Sequence, residues 1–378
     1  MTARPADELI DGSSVIVCCG SGGVGKTTTA AVLGLEAAHR GRRAVVVTID
    51  PARRLADALG LSEGLAAEPQ RIDLGAEPGG RSGAPATGEL WAMMLDTAAT
   101  FDGIVRANAE SDEQVERILS NSFYRNIAGA LSGTQEYMAA EMLHALHHDD
   151  RFDLVVVDTP PSRNALDFLE APGVLSRFLD HRIFKLMMLP ARGGLKVIGA
   201  ATQPILRTVG KVVGSDVLAD SVAFFQAFAG METGFRERAD DVIALIRAPE
   251  TSFVVVASAR HDTIDEAVWF VEQLVEQDVE VTSAIVNRAH PGFGRGTAAD
   301  ALAAAAAAEP DEVLAALWRN VADLRTLRER ELDVISPLAE LAGDDRVVVL
   351  PLLDRDVHDL DGLRTIAAHL FDHPIAER

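Results

Sequence analysis

The chain has 378 residues, enough for two or three domains, and its 48% hydrophobic content excludes global disorder. With 57 acidic against 35 basic residues the net charge is −22, which disfavours non-specific binding to DNA or anionic membrane, so no nucleic-acid partner is expected. Two cysteines, adjacent at 18 and 19, exclude a disulfide-stapled scaffold. No leader-like segment opens the chain and no uninterrupted apolar run reaches membrane-spanning length, so a cytoplasmic protein is expected.

Residues 1–13 are polar and are expected to fray. Residues 14–19 (Ser-Val-Ile-Val-Cys-Cys) read as a buried parallel strand, which turns Cys18 and Cys19 to opposite faces. Gly20, Ser21, Gly22, Gly23, Val24, Gly25, Lys26 and Thr27 then match G-x-x-x-x-G-K-[ST], with Thr28 following. Glycines bend such a loop until its N–H groups point inward at phosphate oxygens, and Lys26 adds a point charge. The Thr27 hydroxyl suits Mg²⁺. An Ala- and Leu-rich helix from Thr27 to Arg40 follows, so strand, loop and helix come in the order that a nucleotide site needs.

Ala44 to Thr48 forms a second buried strand and delivers Asp50-Pro51 to its carboxyl end. There Asp50 can orient the water that attacks a γ-phosphate, or it can merely cap the next helix. Residues 75–88 are Gly/Pro/Ala-rich and read as a flexible loop. A third strand spans 90–96, and 97–148 is too long for one crossover, so a helical subdomain is expected from 97–148 and 164–248. Residues 152–158 make an apolar strand closing on Asp158, placed to support Mg²⁺ through a water or through Thr27. In 183–213 the Met/Leu-rich stretch either packs on neighbouring helices or offers a client groove or dimer contact. Strands at 252–258 and 281–286 follow, the latter delivering Asn287, whose amide can read an adenine edge. A helical insert at 298–341 carries charges from Arg319 to Glu331 that read as solvated or as part of a coiled pairing. A last strand at 346–353 and a helix at 360–371 close the chain.

Together these residues resemble the deviant Walker A ATPases, and within them the ArsA family of arsenite-pump ATPases and guided-entry factors for tail-anchored proteins. The matching pieces are Gly22-Gly-Val-Gly-Lys-Thr-Thr28, Thr48-Ile-Asp-Pro-Ala52, Gly133-Thr-Gln-Glu136, Asp158-Thr-Pro-Pro161, Val286-Asn287 and Pro351-Leu-Leu353. The resemblance implies a single α/β P-loop domain over 1–378, with a mostly parallel sheet of seven or eight strands and an inserted helical subdomain. It implies Mg-ATP hydrolysis in a dimeric switch that binds a protein client, with a membrane-related client as one option. It assigns Asp50 to the hydrolytic water, with Lys26 as its catalytic companion. Asn287 would contact adenine, and Pro351 would belong to the segment closing over the base. The family's interface-crossing lysine is replaced by Ser21, so the chain is expected to hydrolyse ATP slowly alone. It would act as a homodimer or beside a lysine-bearing paralogue, either as an ATPase or as a regulatory subunit. No Cys-x-x-Cys pair is present to hold an interfacial zinc.

Overall fold

The computed structural model describes residues 5–50, 54–75, 87–122, 124, 134–160, 220–221, 223–224, 226–227 and 230–371. In chain order its elements are α1 (Pro5–Gly12), β1 (Val15–Cys19), α2 (Lys26–His39), β2 (Arg43–Thr48), α3 (Arg54–Ala58), β3 (Gln70–Arg71) and β4 (Glu89–Met94). Next come α4 (Thr97–Asn108), α5 (Asp112–Leu119), α6 (Thr134–His147), β5 (Leu154–Asp158), α7 (Glu232–Ile246), β6 (Thr251–Ser258) and α8 (His261–Glu276). The chain continues through β7 (Val281–Ala289), α9 (Ala298–Ala307), α10 (Glu312–Ala342), a 3₁₀ turn, β8 (Val347–Pro351) and α11 (Leu360–Leu370).

The chain divides into two compact units. The first comprises residues 1–94, 150–166 and 249–378, and it holds one eight-stranded sheet in the order β3-β4-β2-β5-β1-β6-β7-β8. Every pairing is parallel except β3 with β4. The inner strands are near-continuous Val, Ile and Ala runs because parallel strands are buried on both faces. Ile16, Cys18, Val46, Val156 and Val254 join one core with Leu33 and Leu35 of α2 and Leu363 and Leu370 of α11. α8 packs on β6 and β7, and α10 packs on α8, β7 and β8.

Three sequence expectations need correction. The amino terminus does not fray from residue 5 on: α1 buries Ala6, Leu9 and Ile10, and Asp7 pairs at 2.6 Å with Arg40, which caps the carboxyl end of α2. Its three apolar residues fall on one helical face, a signal too short to stand out among the surrounding charges. The insert after β7 is two helices, broken where Asp311 accepts the N–H groups of Val313 and Leu314. Its charges are not all solvated, since Arg325 is 6% exposed. The short antiparallel β3 is an addition that no periodicity of two residues could announce.

The second unit spans 95–149 and 167–248, with α4, α5, α6 and α7 described in it. Its buried polar centre is Glu141, fully buried, which accepts hydrogen bonds from the Tyr137 hydroxyl and from Arg238 Nε. Most of the loop at 75–88 and the whole 183–213 stretch lie outside the described residues.

Candidate functional site

The glycine-rich segment occupies the turn from the central strand β1 into α2. Gly25 is the N-cap of α2 with φ of 105°. A Cβ there would stand 2.3 Å from the amide nitrogen of Asn287, so only glycine admits that close approach. Asn287 Nδ2 donates to the Val24 carbonyl at 3.0 Å, and Arg288 Nη1 donates to the Gly23 carbonyl at 3.3 Å. The end of β7 is therefore stitched to the loop. Lys26 is buried, and its Nζ donates to the carbonyls of Gly20 (2.8 Å) and Ser21 (2.7 Å). Burial lowers its pKa, and the nearby Asp158 carboxylate works the other way. Ser21 is also buried, and its Oγ has no hydrogen-bond partner among the described residues.

Asp158 ends β5 and pairs in register with both Cys18 of β1 and Thr48 of β2. It is 1% exposed. Its Oδ2 accepts from Thr27 Oγ1 at 2.8 Å and from Thr48 Oγ1 at 2.9 Å. Burial raises the Asp158 pKa, against the pull of those two hydroxyls and of Lys26. Its Oδ1 is buried and accepts nothing among the described residues. Such an oxygen is costly to leave unserved, which suits a water or cation not present here. Because Thr27 gives its proton to Asp158, its oxygen lone pairs remain available to a hard cation such as Mg²⁺.

Asp50 stands two residues beyond Thr48, with its carboxylate 3.6 Å from Arg54 and 28% exposed. Gly22 and Gly23 are exposed at the loop's rim, and Thr28 is half-buried. Pro351 ends β8 in register with Ala289, whose carbonyl accepts from the Leu352 N–H at 2.7 Å. Two contributors escaped the sequence reading: Thr48 as a second donor to Asp158 and Arg288 on the loop; Thr159, within the Asp158-Thr-Pro-Pro161 match, bonds the Cys18 carbonyl through its hydroxyl at 2.7 Å. Thr48 had a usable signal, since a polar residue closes an otherwise apolar strand, but its partner depends on which strands are neighbours. Cys18 and Cys19 are both buried and free, and burial pushes the Cys19 thiol up to about 12, so neither is primed as a nucleophile.

A parallel sheet whose central strand runs through a glycine-rich turn into a helix, with a buried Lys and a Thr–Asp pair beside it, defines a P-loop nucleoside triphosphatase. The family model for anion-transporting ATPases of the ArsA type matches residues 13–298. The chain belongs to that family and is an ATP-binding ATPase. Among its relatives, ATPase GET3 of Rhodotorula glutinis is 26% identical over 283 residues, covering 74% of this chain and 72% of the relative. ATPase get3 of Schizosaccharomyces japonicus is 27% identical over 271 residues, 71% of this chain and 72% of its own. ATPase GET3 of Kluyveromyces lactis is 25% identical over 284 residues, 71% and 70% respectively.

Proposed function

We propose that the chain is a Mg-ATP-dependent switch whose turnover depends on a partner subunit. The observation that carries the reading is the Asp158 carboxylate, held by Thr27 and Thr48 through one oxygen and buried without a partner at the other. Thr27 and Asp158 would hold Mg²⁺, which when bound neutralises phosphate charge and orients the terminal phosphate. Lys26 is held by loop carbonyls until phosphate oxygens offer a stronger, charged acceptor. The N–H groups of residues 20–28 then cradle the anion at the amino terminus of α2. Asp50 positions the attacking water and takes up its proton as the new bond from the water oxygen to the γ-phosphorus forms and the β–γ bridging P–O bond breaks, ADP leaving. Asn287 and Pro351 contact the adenine. A cytoplasmic setting and an unidentified protein client complete this reading.

The partner dependence rests on Ser21. A serine has neither the charge nor the length to reach a neighbour's phosphates, and in related switches a cation supplied in trans is worth about 10³–10⁵ in rate. A second reading has specific support in the same residue: a nucleotide-binding regulatory subunit beside a lysine-bearing paralogue. ATPase assays of the purified chain, with and without such a paralogue and with Asp50→Asn on this chain, separate the two. Loss of the complex's activity with Asp50→Asn identifies the chain as an enzyme. Unchanged activity identifies it as the regulatory subunit. Brisk turnover by the single chain would refute partner dependence.

A further inference from the structure

The segment from His290 to Thr297, immediately after Asn287 and Arg288, has no strand or helix of its own, and Phe293 within it takes φ of 50°. Several of its backbone groups are served by side chains of α10, while the Thr297 N–H is served by Asp300. Glu331 accepts from the His290 N–H at 2.7 Å, and its other oxygen lies 2.6 Å from His290 Nδ1. Arg325 donates to the carbonyls of Phe293 (3.2 Å), Arg295 (2.6 Å) and Thr297 (3.1 Å). Glu329 accepts from the N–H of Ala298 at 2.8 Å. A buried guanidinium and a largely buried carboxylate are expensive ways to pin a surface loop, since a long apolar side chain would anchor a helix more cheaply. What they provide is a fixed position for backbone that enters directly from the nucleotide-facing end of β7.

We propose that Arg325 and Glu331 are positioning residues for base recognition: α10 holds residues 290–297 so that Asn287 and Arg288 meet the nucleotide in one geometry. This rests on the adenine contact proposed for Asn287. α10 lies beyond the residues that the family model matches. The path is short and continuous. α10 grips His290, three residues from Asn287, and Asn287 and Arg288 are themselves bonded to the phosphate loop. Loosening the clasp therefore blurs the base contact first, while Lys26, Thr27 and Asp158, fixed from β1, β2 and β5, keep their hold on phosphate.

The test is calorimetric titration of the full chain with Mg-ATP, Mg-GTP and inorganic tripolyphosphate, comparing wild type with Arg325→Met, Glu331→Ala and Glu331→Gln. Expected is about a tenfold loss of ATP affinity for Arg325→Met and Glu331→Ala, equivalent to about 1.4 kcal/mol. The ATP preference over GTP should narrow while tripolyphosphate affinity stays unchanged. Glu331→Gln keeps one acceptor for the His290 N–H and should fall between wild type and Glu331→Ala, so the series remains informative if an alanine variant folds poorly. Equal loss for ATP and tripolyphosphate, or ATP affinity unchanged in all three variants, overturns the proposal. A wild-type chain that binds tripolyphosphate but does not distinguish ATP from GTP sinks the adenine reading, and this inference with it.

Discussion

Gly25→Ala puts a Cβ 2.3 Å from the Asn287 amide nitrogen on backbone at φ of 105°. Two costs follow. An L-residue held at positive φ pays about 1–2 kcal/mol. Relieving the overlap means rotating the Asn287 amide away, which breaks its bond to the Val24 carbonyl for about 1 kcal/mol more. The expected destabilisation is about 2–3 kcal/mol, read as a shift in the urea midpoint at constant slope. Gly23→Ala is the internal control: φ there is 78°, yet nothing lies within 4 Å of the added carbon, so only the backbone cost of about 1–2 kcal/mol applies. The decisive measurement is a double-mutant cycle. Asn287→Ala removes the obstructing amide, so Gly25→Ala in that background should cost about 1 kcal/mol less than in wild type. ATP affinity should follow the same order. Strict additivity of the two substitutions, or equal destabilisation by Gly25→Ala and Gly23→Ala, would refute the claim that β7 and the loop are in contact through this atom pair.

Further expectations concern the buried ionisable groups. Thr48→Val keeps the side-chain volume but removes one of the two hydroxyls that oppose the burial of Asp158, so the Asp158 pKa moves further up. The acid limb of the ATPase pH–rate profile should therefore shift to higher pH, and an unmoved limb would remove Thr48 from the site. With a raised folded pKa the native state binds the extra proton, so the variant's stability should decline more as pH rises through that pKa than the wild type's does. Arg238→Met strips the cation from fully buried Glu141 and should cost about 3–5 kcal/mol, whereas Tyr137→Phe should cost about 1–3 kcal/mol, both by urea melts. Burial, with Arg238 and His148 beside it, holds the His144 pKa down to about 4 from 6.5. Asp241 pulls it the other way, and His147 adds to the lowering. The unfolded chain takes the proton first, so stability is full above pH 6.5 and is lost as pH falls towards 4, by about 3 kcal/mol at most. His144→Gln should flatten that slope.

How far the sequence could be read follows from where each signal is encoded. β1, β2, β5, β6 and β7 announce themselves because strands buried on both faces leave short runs dominated by Val, Ile, Ala and other apolar residues. The loop is legible because its chemistry needs glycines and a lysine at fixed spacing. Thr48 acquires its meaning only when β2 is set beside β5, a pairing between residues 110 apart in sequence. Arg325 and Glu331 look like solvated helix charges until the loop they grip is folded under them. The break before α10 was written in Pro310-Asp311, a proline followed by a capping acid, and the Ala-rich flanks obscured it.

The strand order carries one more consequence. β1 has β5, which ends on Asp158, and then β2, which runs on to Asp50, on one flank, and β6, β7 and β8 on the other, with Asn287 in β7 and Pro351 at the end of β8. On the roles proposed above for Asp50, Asp158, Asn287 and Pro351, cleavage chemistry and choice of base fall in opposite wings joined through a single glycine-rich bend. With the roles so divided, selection could retune which nucleotide is accepted without disturbing how it is split, and a lineage could silence the splitting while keeping the grip.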